Sequence, residues 1–174
     1  MKRLMLLLLP ILFFAHCNDD DLPDTGFEMQ YLRDFEIFAG LNTLETHIFQ
    51  FTQISSEFDN FVTVNGYQAE NVQQIVPKAF RLTNLTGNIP FDDLDRIRLF
   101  ITKEDGSLES EIAFLEPVPN SVGFQVDLVP TLAQVQEHLQ DERFNLELKL
   151  NYRSVPAQSV DARLTIIFQA VTDN

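Results

Sequence analysis

Between residues 144 and 153 apolar and polar side chains alternate without a break. Phe144, Leu146, Leu148, Leu150 and Tyr152 stand against Asn145, Glu147, Lys149, Asn151 and Arg153. Successive side chains of a strand point to opposite faces, so this run makes a strand with one buried and one wet face, whereas an amphipathic helix needs a period near 3.6. Residues 160–170 repeat the pattern, with Val160, Ala162, Leu164, Ile166, Phe168 and Ala170 on one face. Ile97, Leu99 and Ile101 mark another strand, and Val122, Phe124, Val126 and Leu128 a further one. Asp105-Gly106 is a hairpin signal, which predicts that 95–102 and 108–115 are antiparallel partners. Earlier strands are predicted at 28–38, through Met29, Tyr31, Phe35 and Ile37, at 46–54, and at 73–84, where Pro77 marks an edge or a bulge.

Two helices interrupt this pattern. Residues 131–140 carry Leu132, Val135 and Leu139 at helical spacing after Pro130. Residues 56–64 read as a helix opened by Ser56 with Asp59 three positions on, although Val62 and Val64 before Asn65-Gly66 also fit a strand and hairpin. The resulting fold class is mostly β: a single two-sheet antiparallel β-sandwich, Ig-like, of seven or eight strands, with one or two short helices plugging its ends.

The length of 174 residues suits one domain. With 12 Lys+Arg against 26 Asp+Glu, the net charge is -14. Nucleic acid is excluded as a partner, because its recognition relies on basic side chains neutralising phosphates. The six glycines are scattered, so neither a P-loop nor a dinucleotide fingerprint occurs, and no H-E-x-x-H, C-x-x-C or G-x-S-x-G is present. No cofactor is implied. His47 and His138 would need to converge with a carboxylate to form a site, and the expectation is one semi-buried and one solvated histidine. Asp92, Asp93 and Asp95 are a candidate cation cluster, but their spacing lacks the alternation, glycine and terminal Glu of an EF-hand. The favoured reading is a capped turn that sends Phe91 and Leu94 inward. The absence of Trp, against 16 Phe and only Tyr31, Tyr67 and Tyr152, disfavours a sugar-binding platform.

The N-terminal segment is an address. Lys2 and Arg3 precede an apolar run from Leu4 to Ala15, broken by Pro10 and followed by His16 and Cys17. The run is too short to span a bilayer, which takes about 20 apolar residues, and has the layout of an export signal. Cys17 is the only cysteine of the chain. Phe14-Ala15-His16-Cys17 resembles a bacterial lipobox, from which it departs at His16, where the family has a small residue. Asn18, Asp19, Asp20 and Asp21 follow, and this run resembles the acidic export signal of surface-exposed lipoproteins of the Bacteroidota. The resemblance covers about the first 21 residues. It implies a signal peptide over 1–16, a lipidated Cys17 with an acidic tether over 17–26, and the β domain over 27–174. It implies further an outer-membrane lipoprotein facing the cell exterior; the alternative is a periplasm-facing one, with the acidic run a solvated linker.

The expected function is a non-catalytic binding or accessory module of the cell envelope, held to the membrane by its lipid and partnered by another envelope protein or an extracellular ligand. A structural subunit pairing by edge-strand addition is the alternative, and a lipid-anchored hydrolase using a carboxylate pair is a further one. A long unprotected edge strand would favour the first alternative. Two carboxyls about 5–9 Å apart in a cleft would favour the second.

Overall fold

The computed structural model describes residues 26–87 and 89–173; the signal, Cys17 and the acidic run Asn18–Asp21 lie outside them. Eight strands form: β1 (Gly26–Ile37), β2 (His47–Ser55), β3 (Val72–Asn84), β4 (Leu94–Lys103), β5 (Ser110–Leu115), β6 (Gln125–Pro130), β7 (Arg143–Tyr152) and β8 (Val160–Thr172). Helix α1 (Phe58–Val64) and a 3-10 turn (Ala69–Asn71) separate β2 from β3, and α2 (Gln136–Leu139) separates β6 from β7.

All pairings are antiparallel, and the spatial order is β1-β8-β3-β6-β5-β4-β7-β2. The fold is therefore mostly β and antiparallel, as alternation predicts, and its eight strands join in one sheet rather than in two clearly separate ones. One nearly closed ladder runs through all eight strands, with the interleaved order of a barrel or jelly roll. Its narrowest joint is β5–β6, where only Ala113↔Pro130 and Phe114↔Val129 are in register. Period-two alternation shows which face of a strand is buried but not which strand lies beside it, so the sequence pattern could not reveal this closure.

The inward faces make one core. On β7 and β8 every apolar position of the alternation is buried, including Leu148, Leu150, Leu164 and Phe168. Tyr31 of β1 meets Phe144 and Phe168 edge-on, with ring centroids 5.2 and 6.1 Å apart, and Phe80 meets Phe168 at 5.8 Å. Edge-to-face contact suits the ring quadrupoles and adds to the burial itself. The predicted 95–102/108–115 hairpin is present as β4–β5. Pro77 sits at a register shift between Pro77 and Ala79, in the half of β3 that β6 does not reach, as a residue without an N–H donor requires.

The helices differ in detail from expectation. α1 forms, but its N-cap is Glu57 in a left-handed conformation (φ 49) with no side-chain cap, while the Ser56 hydroxyl accepts only a long 3.4 Å bond from Phe58 N–H. The 131–140 helix shrinks to Gln136–Leu139 because the chain before it keeps bonding to the sheet: Thr131 N–H donates to Ile112 O and Val135 N–H to Ile75 O. Leu132 is left 98% exposed, so its helical spacing from Val135 was coincidental. Strand β6 begins at Gln125 rather than at Val122, whose N–H is claimed by Asp92.

Both helices and the β4–β5 turn lie at one end of the ladder. Gly26 is at this end too, opposite Val171, with Phe27 stacked on Tyr67. Loops 38–46, 116–124 and 153–159, with residues 85–87 and 89–93, occupy the other end.

Candidate functional site

The ladder has two ends, β1 and β2, and the seam between them is the most distinctive feature of the surface. Among the described residues no strand pairs with the outer side of either. Phenylalanines bridge the gap: Phe35 of β1 lies 5.0 Å from Phe49 and 5.4 Å from Phe51 of β2 by ring centroid, and all three are partly buried. At the helix end, Tyr31 Oη donates a 2.5 Å hydrogen bond to Ser56 O just past β2. Burial, together with the nearby Glu57 carboxylate, pushes the Tyr31 phenol well above its ordinary value.

The two strands present different edges. β1 is in unbroken register with β8 over twelve residues and carries Glu28, Arg33, Asp34 and Glu36. Arg33 holds an inward-facing register position between Tyr31 and Phe35. Charges on an edge, inward-pointing ones above all, deter pairing with another strand. β2 has none: His-Ile-Phe-Gln-Phe-Thr-Gln-Ile-Ser contains no Asp, Glu, Lys, Arg, Pro or Gly. Its irregularity is a bulge at which Thr52 and Gln53 together face Asn145 of β7. Gln53 adopts φ 55 there, its N–H donates to Asn145 Oδ1 at 2.9 Å, and the shift turns Ile54 into the core. A bulge that puts two residues opposite one bends and twists the strand. Its uncharged stretch His47–Phe51 lies beyond the bulge and keeps regular register with Leu150–Leu146.

Behind β2 the outer face carries a shallow groove of about 470 Å³, bordered by Gln50, Thr52, Thr102, Glu104, Asn145 and Glu147. Two carboxylates of its lining, Glu147 and Asp105, are engaged. The Glu147 carboxyl is held below its usual value by Lys149, 2.8 Å away, and Asp105 is lowered by hydrogen bonds from Ser107. Lys149 also lies 4.1 Å over the Phe100 ring. Lowered carboxyls stay ionised and so do not suit general-acid chemistry, which needs a raised one.

Asp92, Asp93 and Asp95 do not converge. Asp92 Oδ1 accepts from the N–H groups of Val122 and Gly123 at 3.0 and 3.3 Å, Asp93 bonds the Ser154 hydroxyl, and Asp95 lies 3.9 Å from Arg153. Phe91 and Leu94 point inward, as the turn-cap reading predicts. Among the described residues no three His, Cys, Asp or Glu side chains group as a metal site would. His47 bonds Asn42 O at 2.8 Å and packs on Tyr152, while His138 is buried with Nε2 on Leu108 O at 2.5 Å. The two histidines are on different elements and share no partner. No helix among the described residues is long and apolar enough to cross a membrane.

Sequence reasoning missed β2 as the site. A run without charges normally reads as a central strand, and only the ladder order reveals it as an end.

No protein-family model and no curated protein matches this chain. Five solved chains match it. One is the decameric BFDV capsid protein, 11% identical, with 83% of this chain and 97% of that one covered at a TM-score of 0.35. Another is the empty head of turnip yellow mosaic virus, 8% identical, with 100% and 92% covered at a TM-score of 0.26. At such TM-scores the likeness carries no argument, and the description of the fold rests on its strand order.

Proposed function

We propose that this chain is a lipid-anchored lipoprotein of a bacterial outer membrane, facing the cell exterior, whose β domain is a non-catalytic binding or accessory module of the envelope. The observation that carries the proposal is Cys17: the only cysteine of the chain falls two residues past a charged and then apolar run and is followed by Asn18 and three aspartates. The two or three acyl chains of a lipoprotein cysteine anchor stably, where one binds only marginally. Residues 18–25 then reach at most about 30 Å at roughly 3.5 Å per residue. Because Gly26 enters at the helix end, the loops of the opposite end point away from the anchor and are offered to an envelope protein or an extracellular ligand. In the same reading the ladder works as two facing four-stranded sheets, β1-β8-β3-β6 and β2-β7-β4-β5, hinged at the short β5–β6 joint.

A second reading, pairing by edge-strand addition, is favoured by the uncharged free edge of β2. Main-chain hydrogen bonds supply the affinity in that mode.

The anchor is tested by Cys17→Ala: fatty-acid labelling and membrane fractionation should both be lost. Retention of label and membrane association by the variant would sink the proposal. Converting Asp19, Asp20 and Asp21 together to Ala should leave acylation and thermal unfolding intact while lowering the fraction reached by protease added to whole cells. Unchanged accessibility would make the run a spacer and the surface assignment wrong.

A further inference from the structure

We propose that the free edge of β2 pairs antiparallel with β2 of a second copy of this chain, centred on Gln50. The inference deepens the edge-strand reading and rests on it; it does not depend on the lipid at Cys17.

Three observations converge on a second copy as the occupant. The first is charge. The chain carries a net charge of -14, so two copies repel over most approaches, yet β2 is a nine-residue edge without one Asp, Glu, Lys or Arg. It is where two acidic molecules meet at the least electrostatic cost. The flanking acid Glu45 falls opposite Ser55 of the second copy in this register, so no like charges oppose across it.

The second is self-complementarity. Antiparallel pairing about Gln50 sets Phe49 opposite Phe51 of the other copy, Ile48 opposite Thr52, and Gln50 opposite Gln50. Phe49 and Phe51 both occupy inward register positions, against Leu148 and Leu146, whereas Ile48, Gln50 and Thr52 are outward, so faces match as well as residues. Aromatic and β-branched cross-strand pairs of this kind stabilise antiparallel sheets. A two-fold axis through Gln50 makes every contact twice, as a closed isologous dimer requires. The same operation on β1 would have to accommodate Glu28, Arg33, Asp34 and Glu36.

The third is what is left uncovered. Ile48 is 53% exposed, and Phe49 and Phe51 are only partly buried although their neighbours on β7 are fully so. A strand added beside β2 covers this row and pairs its backbone groups in the same step.

The test uses the mature chain, residues 17–174, with Cys17→Ser so that neither lipid nor native thiol intervenes. Sedimentation velocity should show a monomer–dimer equilibrium that I48K/Q50K, two lysines on an exposed edge, weakens at least ten-fold with the thermal midpoint nearly unchanged. In the same background Gln50→Cys should cross-link into dimers under mild oxidant, since opposed strands hold Cα atoms about 4.5–5.5 Å apart, within disulfide reach; Gln30→Cys on β1 should not. A dimer indifferent to I48K/Q50K, or equal cross-linking at both positions, overturns the proposal. A monomer at all concentrations overturns it too, and hydrogen exchange then separates the two failures. Fast-exchanging β2 amides would leave an open edge and refute only the second copy. Protected ones would mean that the edge is already covered, refuting the edge-strand reading as well.

Discussion

β1 and β2 both end the same ladder, yet they bring different chemistry to that position. β1 lies along β8 in unbroken register, buries Phe27, Met29, Tyr31 and Ile37, and shows charge at exposed Glu28, Asp34 and Glu36. β2 is bulged, half-exposed and uncharged. The difference teaches that edge position alone does not make a binding strand. β1 contributes core and guards its own edge; β2 gives less to the core, since of its residues only Ile54 is fully buried, and leaves its edge unguarded.

The largest way to break this comparison is at the core. Met29, fully buried on β1, and Ile48, 53% exposed on β2, are apolar side chains of similar size on the two edge strands. Met29→Ala should cost about 2–5 kcal/mol, the transfer and cavity cost of emptying a buried site. Ile48→Ala should stay within about 0.5 kcal/mol, as surface changes usually do. Denaturant midpoints at a constant slope give both numbers. Equal losses would show that β2 is as deeply built into the monomer as β1, which would remove the reason to regard it as a partner strand.

Much of this contrast was written in the sequence and some could not be. The strands were legible because each has a wet face: Asn145, Glu147, Lys149 and Asn151 betray the register of β7. Which strands neighbour each other was not, because closure depends on contacts between segments as far apart as β1 and β8. Phe composition predicts core, and Phe80, Phe144 and Phe168 comply, but Phe38 and Phe124, which the sequence pattern puts inside strands, are exposed because β1 ends at Ile37 and β6 begins at Gln125. Cys17 and its acidic followers, conversely, are legible only in sequence, since they lie outside the described residues.

A smaller effect sharpens the comparison at the bulge. Asn145 accepts the Gln53 N–H and donates through Nδ2 to Lys103 O at 2.9 Å and Glu104 O at 3.2 Å, tying the irregular part of β2 and the β4–β5 turn to β7. Asn145→Ala should cost about 0.5–1.5 kcal/mol, the net worth of an ordinary hydrogen bond, since of its three bonds only the one to Lys103 O is partly buried. Asn145→Asp keeps the acceptor for Gln53 but turns a carboxylate toward two carbonyls. If the bulge bond dominates, Asp should recover part of the loss; if the turn bonds dominate, it should be no better than Ala. Either variant should alter amide exchange at Gln53 and leave β1 untouched.

The smallest expected effect lies in the charge that β1 has and β2 lacks. Asp34 and Arg163 face each other across the β1–β8 register, with Arg163 Nε and Nη2 donating to the two carboxylate oxygens at 2.6 and 2.7 Å. These bonds hold the Asp34 carboxyl below its ordinary 3.8, so the folded state binds its proton more weakly than the unfolded chain does. The sign follows: the contribution is present above the unfolded value and is lost as pH falls through the lower folded value. The pair is exposed to water and salt, and exposed pairs stabilise little. Asp34→Asn should therefore lower the unfolding midpoint slightly at pH 7 and low ionic strength. The gap from the parent should narrow below about pH 4 as the unfolded carboxyl protonates, and shrink at high salt. A gap of constant size from pH 7 to pH 2 would mean that Asp34 acts through shape or hydrogen bonding rather than charge, and that the guarded edge of β1 does not owe its stability to the ion pair with Arg163.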